Sequence, residues 1–169
     1  MTGILQLANA VLEAAIVTLI SSVLLYSIQS SAHNRVARSS SLLLAFTVIT
    51  YLGDLLLTQT TTLAEMERWL RVEWIGIAFV PSAYLQLSNA LLDQSSGSQP
   101  RLRRLAVVAA YMLSAATAAL AVGTDLVVQG EVVNVNAPQL HPGPLFLAFV
   151  SLFGGVIALG LVLQIRARR

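Results

Sequence analysis

The residues in this sequence best placed to do chemistry are carboxylates set in apolar stretches. Glu13 lies in Val11-Leu12-Glu13-Ala14-Ala15-Ile16, and Asp54 in Leu52-Gly53-Asp54-Leu55-Leu56-Leu57. A charge near the centre of a bilayer costs at least roughly 2.5 kcal/mol on insertion scales, so such groups are paired, protonated or functional. One reading makes Glu13 and Asp54, with Glu73 and Arg71 beside them, an outer pocket that takes a cationic ligand, an ion or a proton. The other has the carboxylates hydrogen-bond across helices, or pair with Arg68 or Arg71 dipping in from the surface.

Other chemistries lack their residues. The ten basic residues are all Arg, and without Lys there is no retinal Schiff base, no phosphate-binding P-loop lysine and no pyridoxal attachment. Without Cys there is no disulfide and no thiolate metal site. The two histidines, His33 and His141, fall in loops expected on opposite sides of a membrane, where they cannot share a metal, a haem or a proton. No Gly-x-Ser-x-Gly and no His-Glu-x-x-His is present. The sequence therefore reads as a non-catalytic protein with no identifiable cofactor.

These residues need elements to position them, and composition says which. Of 169 residues, 56% are hydrophobic and only 11% charged, where a soluble domain carries about a quarter. The expected architecture is an all-α membrane bundle, a single domain over 1–169 with five spans at about 4–26, 42–57, 74–92, 105–127 and 145–165. The first span has no basic leader and no small-x-small cleavage site, so it is expected to stay in the membrane. Eight of the ten arginines follow spans one, three and five. The positive-inside rule then puts the N-terminus outside and the C-terminus in the cytoplasm. Glu13 and Asp54 both fall in the outer half.

Each span has a polar or small face. Gln6, Asn9 and Glu13 share one in span one, and Thr47, Thr50, Asp54 and Thr58 in span two. Ser82, Gln86, Asn89 and Asp93 share one in span three, and Tyr111, Ser114, Ala118, Ala121 and Asp125 in span four. Ser151, Gly154, Gly155 and Ala158 form a small-residue face on span five, suited to close packing within the chain or against a partner. The polar faces are expected to point at one another as interhelical glue. Thr62-Leu63-Ala64-Glu65 is a capping-box pattern that starts the third helix near Leu63, outside the membrane. Pro81 is expected to kink that helix, and Trp69 and Trp74 to sit at the outer interface. Valines flank Gln129-Gly130 between Leu126 and Val135, which suggests a short hairpin turning there. Ser95-Ser96-Gly97-Ser98 reads as a flexible link.

The approach to span three carries a resemblance. Trp74-Ile75-Gly76-Ile77-Ala78-Phe79-Val80-Pro81, with Tyr84 beyond it, resembles the third-helix signature of the seven-helix N-terminal region of bacterial sensor histidine kinases and diguanylate cyclases. Pro142-Gly143-Pro144-Leu145-Phe146 is similar to the segment before that family's fifth helix. The resemblance implies a sensory bundle in the bacterial cytoplasmic membrane, with catalysis in a separate downstream domain. This chain shows five helices where the family has seven, and no kinase or cyclase output. It reads either as a fragment of the longer region or as a scaffold that acts through partner proteins. The leading expectation is a non-catalytic subunit of a membrane complex, in contact with the bilayer and other membrane proteins and with no nucleic-acid partner. The alternatives are a ligand-sensing receptor module and a small proton-coupled transporter.

Overall fold

The computed structural model describes residues 2–30, 34–60, 62–96, 101–132 and 140–167. Its helices are α1 (Thr2–Ser30), α2 (Arg35–Leu57), α3 (Leu63–Ser96), α4 (Arg101–Gly123) and α5 (Phe146–Ala167), with strands β1 (Val128–Val132) and β2 (Leu140–Pro142) before α5. All five helices are long and apolar enough to cross a membrane. Each outruns its apolar stretch at one or both ends, because polar residues continue a helix wherever capping and backbone bonding allow. Asn34 shows this at α2: its side chain accepts the Val36 N–H at 3.0 Å, so the helix starts seven residues before Leu42.

α3 is the axis of the fold. At 34 residues and 1.5 Å per residue it is roughly 50 Å long, well beyond a hydrocarbon core of about 30 Å. It begins at the expected capping box, where Thr62 Oγ1 accepts the Glu65 N–H at 3.4 Å. The helix runs on through Pro81, whose missing N–H leaves the Ile77 carbonyl without its intrahelical donor. Ser95 and Ser96, expected in a link, belong to its last turn, while Gly97 and Ser98 lie outside the described residues.

α2, α4 and α5 each pack directly on α3, and α1 lies along α2. The α2–α3 approach depends on absent side chains. A Cβ at Gly76 would meet the Phe46 carbonyl at 2.7 Å and the Thr50 amide nitrogen at 2.8 Å, and a Cβ at Gly53 would meet Glu73 Cβ at 2.9 Å. Small residues let backbones approach this closely, so dispersion contacts form along the whole seam. Phe46 and Phe79 stack across it with centroids 4.8 Å apart. On another face of α3, Ser82 and Ser114 hydrogen-bond at 2.7 Å in the α4 interface, both fully buried.

α5 meets α3 through Phe149, Val156, Gly160 and Leu163. A Cβ at Gly160 would strike the Tyr84 ring at 2.6 Å. Trp74 sets its ring edge-on to Phe146 and Phe149 at 6.1 and 5.2 Å, within the α3–α5 seam.

The β-ribbon differs from the expected hairpin. Gln129 and Gly130 lie inside β1 and not in a turn; β1 pairs antiparallel with β2, Val128 opposite Pro142 and Gln129 opposite His141. The pairing is set by the stretch before α5: the Gly143 N–H donates to the Val127 carbonyl at 2.9 Å and the Leu145 N–H to the Leu126 carbonyl at 2.8 Å. That anchoring leaves no room for a tight turn at Gly130. Val127 and Val128 are buried against Ala121 and Phe149, so the ribbon plugs one end of the bundle. Residues 133–139, including Val133–Val135, lie outside the described residues.

Candidate functional site

Glu13 comes from α1, Asp54 from α2 and Glu73 from α3. The close α2–α3 seam brings the last two together, because Gly53 lets the α2 backbone press on the Glu73 stem. Glu13 completes the group: each of Glu13 and Glu73 lies within electrostatic reach of Asp54, and Glu73 within reach of Glu13. Asn9 donates to Glu13 Oε1 one turn away, while Glu13 Oε2 is buried without a partner. Among the described residues, neither Asp54 nor Glu73 makes a hydrogen bond or ion pair. Like charges at such range repel, more strongly in a medium of low dielectric, and among the described residues no arginine pairs with them.

Arg71 does not join this cluster. Two positions from Glu73, it points to a different side of α3, toward α4. Its Nε donates to Glu67 at 2.9 Å, Nη1 to the carbonyls of Ala121 and Thr124 at 2.9 and 3.1 Å, and Nη2 to Asp125 at 2.6 Å. A helix leaves its last carbonyls without intrahelical donors, and a guanidinium fork serves two of them and a carboxylate at once. Arg71 is thus a clamp between α3 and the C-terminus of α4. Arg68 is exposed and, among the described residues, unpaired. The expected pairing of Glu13 and Asp54 with either arginine is not what the structure shows. The sequence order alone did not separate Arg71 from Glu73, though their spacing of two already placed them on different helix faces.

The polar stripes divide into two kinds. Thr47, Thr50 and Thr58 bond to carbonyls of their own helix, those of Leu43, Phe46 and Leu55, and so do not act as glue between helices. A hydroxyl reaches its own preceding turn without waiting for a neighbour. The α3 stripe does bridge helices: Ser82 to Ser114, Gln86 Nε2 to Ser39 Oγ at 3.3 Å, and Asp93 to Arg35 and Arg103 at 3.6 and 3.3 Å. Gln6's side chain and His33 lie outside the described residues. The α5 face of Ser151, Gly154, Gly155 and Ala158 is exposed, and a Cβ at either glycine meets nothing within 4 Å. The opposite face of α5 does the packing on α3.

The residues of the α3 signature thus acquire structural roles. Gly76 admits α2, Trp74 and Tyr84 receive α5, and Pro81 is fully buried. The sequence model of the family described as "N-terminal 7TM region of histidine kinase" matches residues 11–169. The chain belongs to this family. No curated protein and no solved structure matches it. The 7TM region of histidine kinases is their sensory input, a part without catalysis of its own, so this chain is a multi-pass membrane protein of sensory type. Within the 7TM family's frame, the carboxylate cluster is the candidate site for an input. Among the described residues no three His, Asp or Glu are arranged to hold one metal ion.

Proposed function

We propose that the chain is a membrane sensory module that takes up an organic cation at Glu13, Asp54 and Glu73 and passes the change to partner proteins. The observation that carries this reading is three carboxylates from three helices within electrostatic reach of one another, none of them paired with an arginine among the described residues. A bound ammonium group would relieve their repulsion and draw α1, α2 and α3 together, and α3 would transmit the shift to α4 and α5. The arginine distribution supports an orientation with the N-terminus and this cluster on the outer side of a bacterial cytoplasmic membrane. The test is a thermal-shift titration of the purified chain with putrescine and choline. Saturable stabilisation that Glu13→Gln and Asp54→Asn abolish is expected; shifts that survive both substitutions, or none in the parent, reject the reading.

A second reading, a subunit of a larger membrane complex, is favoured by the unused small-residue face of α5. Mild-detergent purification followed by mass spectrometry tests it. A stoichiometric membrane partner that Gly154→Leu removes without lowering the melting temperature supports a subunit. A monodisperse lone chain counts against it.

A further inference from the structure

A second polar site lies at the opposite end of the bundle from the β-ribbon. There the first turns of α2 and α4 flank the last turns of α3 around a cavity of about 280 Å³. Arg35 and Arg38 enter from α2, Arg104 from α4, and Asn89 and Asp93 from α3. Two helix N-termini direct their dipoles toward this region, which favours negative charge. The one opposing charge in the cavity wall, Asp93, is paired with Arg35 at 3.6 Å and Arg103 at 3.3 Å, though its Oδ1 makes no hydrogen bond. Arg38 and Arg104 are exposed and make no ion pair among the described residues.

The cavity also holds buried polar groups without partners. Asn89 is 4% exposed and its Oδ1 has no hydrogen bond; the Tyr111 hydroxyl, also in the wall, has none either. Buried polar atoms are ordinarily satisfied, so orphans facing a cavity mark where another molecule bonds. Their chemistry is mixed. Arginines and a tyrosine hydroxyl donate to oxyanions, while Asn89 Oδ1 needs a donor from the ligand. A phosphate group accepts from the arginines and the tyrosine, and a hydroxylated arm on it supplies the donor for Asn89 even where the phosphate is a diester without an O–H of its own.

We propose that this cavity binds a glycerol-phosphate group, with Arg38, Arg104 and Tyr111 on the phosphate and Asn89 on a hydroxyl. Bound there, the group bridges α2 and α4 across the end of α3. The group has two sources, a phosphatidylglycerol headgroup in the bilayer or free glycerol phosphate in solution. The site is separate from the carboxylate cluster, and either proposal stands if the other fails.

The full chain is purified in uncharged detergent and titrated with glycerol 3-phosphate. In parallel it is placed in phosphatidylcholine nanodiscs, and phosphatidylglycerol retention is read by native mass spectrometry. The variants are Arg38→Gln with Arg104→Gln, Tyr111→Phe, and Arg101→Gln as an exposed control at the same end. Saturable binding of the soluble phosphate, weakened about tenfold or more by the double variant, identifies a soluble ligand. Phosphatidylglycerol retention without soluble binding, lost in the same variant, identifies the lipid. Tyr111→Phe is expected to weaken whichever form binds, and Arg101→Gln to leave it within about twofold. No binding of either form, or equal loss in the Arg101→Gln control, overturns the proposal. The arginine side chains replaced are exposed, and helical circular dichroism confirms that the variants fold.

Discussion

Removing the Arg71 guanidinium should detach α4 from α3 at the ribbon end of the bundle. The contributions can be weighed one by one. Asp125 has a side chain 67% exposed, so its pair with Arg71 is screened and contributes about 0–1 kcal/mol. The Glu67 pair, one turn away on the same helix, adds about 0.3–0.5 kcal/mol. The bonds to the Ala121 and Thr124 carbonyls dominate, since a charged donor to an otherwise unserved carbonyl contributes about 1.5–3 kcal/mol. These bonds share one side chain and do not add fully, so Arg71→Met is expected to cost about 3 kcal/mol. At roughly 2–4 °C per kcal/mol for a chain of this size, the melting temperature should fall by about 6–12 °C. Both tryptophans, Trp69 and Trp74, lie on α3, so intrinsic fluorescence in detergent follows the transition without a label. Arg71→Lys keeps the charge but not the fork, and should show about half the loss. Arg68→Met, three residues away and exposed, should stay within about 1 °C of the parent. If Arg71→Met melts as the parent does, the clamp does not hold α4, and the reasoning is wrong.

Further outcomes follow from the same contacts. Gly76→Val should overpack the α2–α3 seam by about 1–3 kcal/mol and lower the melting temperature, whereas Gly154→Val, with open space around it, should not. Ser82→Ala and Ser114→Ala, combined in a double-mutant cycle, should give a coupling of about 0.6 kcal/mol and not above about 1.7; a coupling near zero would mean that the buried hydroxyl pair does not join α3 to α4. Glu73→Gln removes one of three mutually repelling carboxylates and should stabilise the empty bundle by about 0.5–2 kcal/mol, read as a rise in melting temperature. A fall would show that the ionised side chain has a stabilising partner.

The candidate site was only half legible in the sequence. Glu13 and Asp54 stand out as carboxylates in apolar stretches, and the cost of burying charge singles them out without any fold; Glu73 is only grouped beside them. Arg71 stood two residues from Glu73 and was grouped with them, yet a helix turns such neighbours to different faces. The ribbon was misread at Gln129-Gly130 because its register is set by bonds from Gly143 and Leu145, far along the chain. The arginine-end cavity was missed as a site although every residue was visible, since Arg38, Asn89 and Tyr111 come from three helices.

What the sequence determined by itself is the class of the molecule: five apolar segments in a chain only 11% charged must become membrane helices, because lipid leaves no other partner for backbone polar groups. It also determined the start of α3, which a local capping pattern specifies. Only the tertiary structure decided which faces meet. In lipid no hydrophobic force ranks one apolar face above another, so the choice falls to close fits such as Gly76 against Thr50 and Gly160 against Tyr84. The same fits left the small residues of α5 facing outward, turned Arg71 from a ligand candidate into a clamp, and brought three acidic side chains within electrostatic reach of one another.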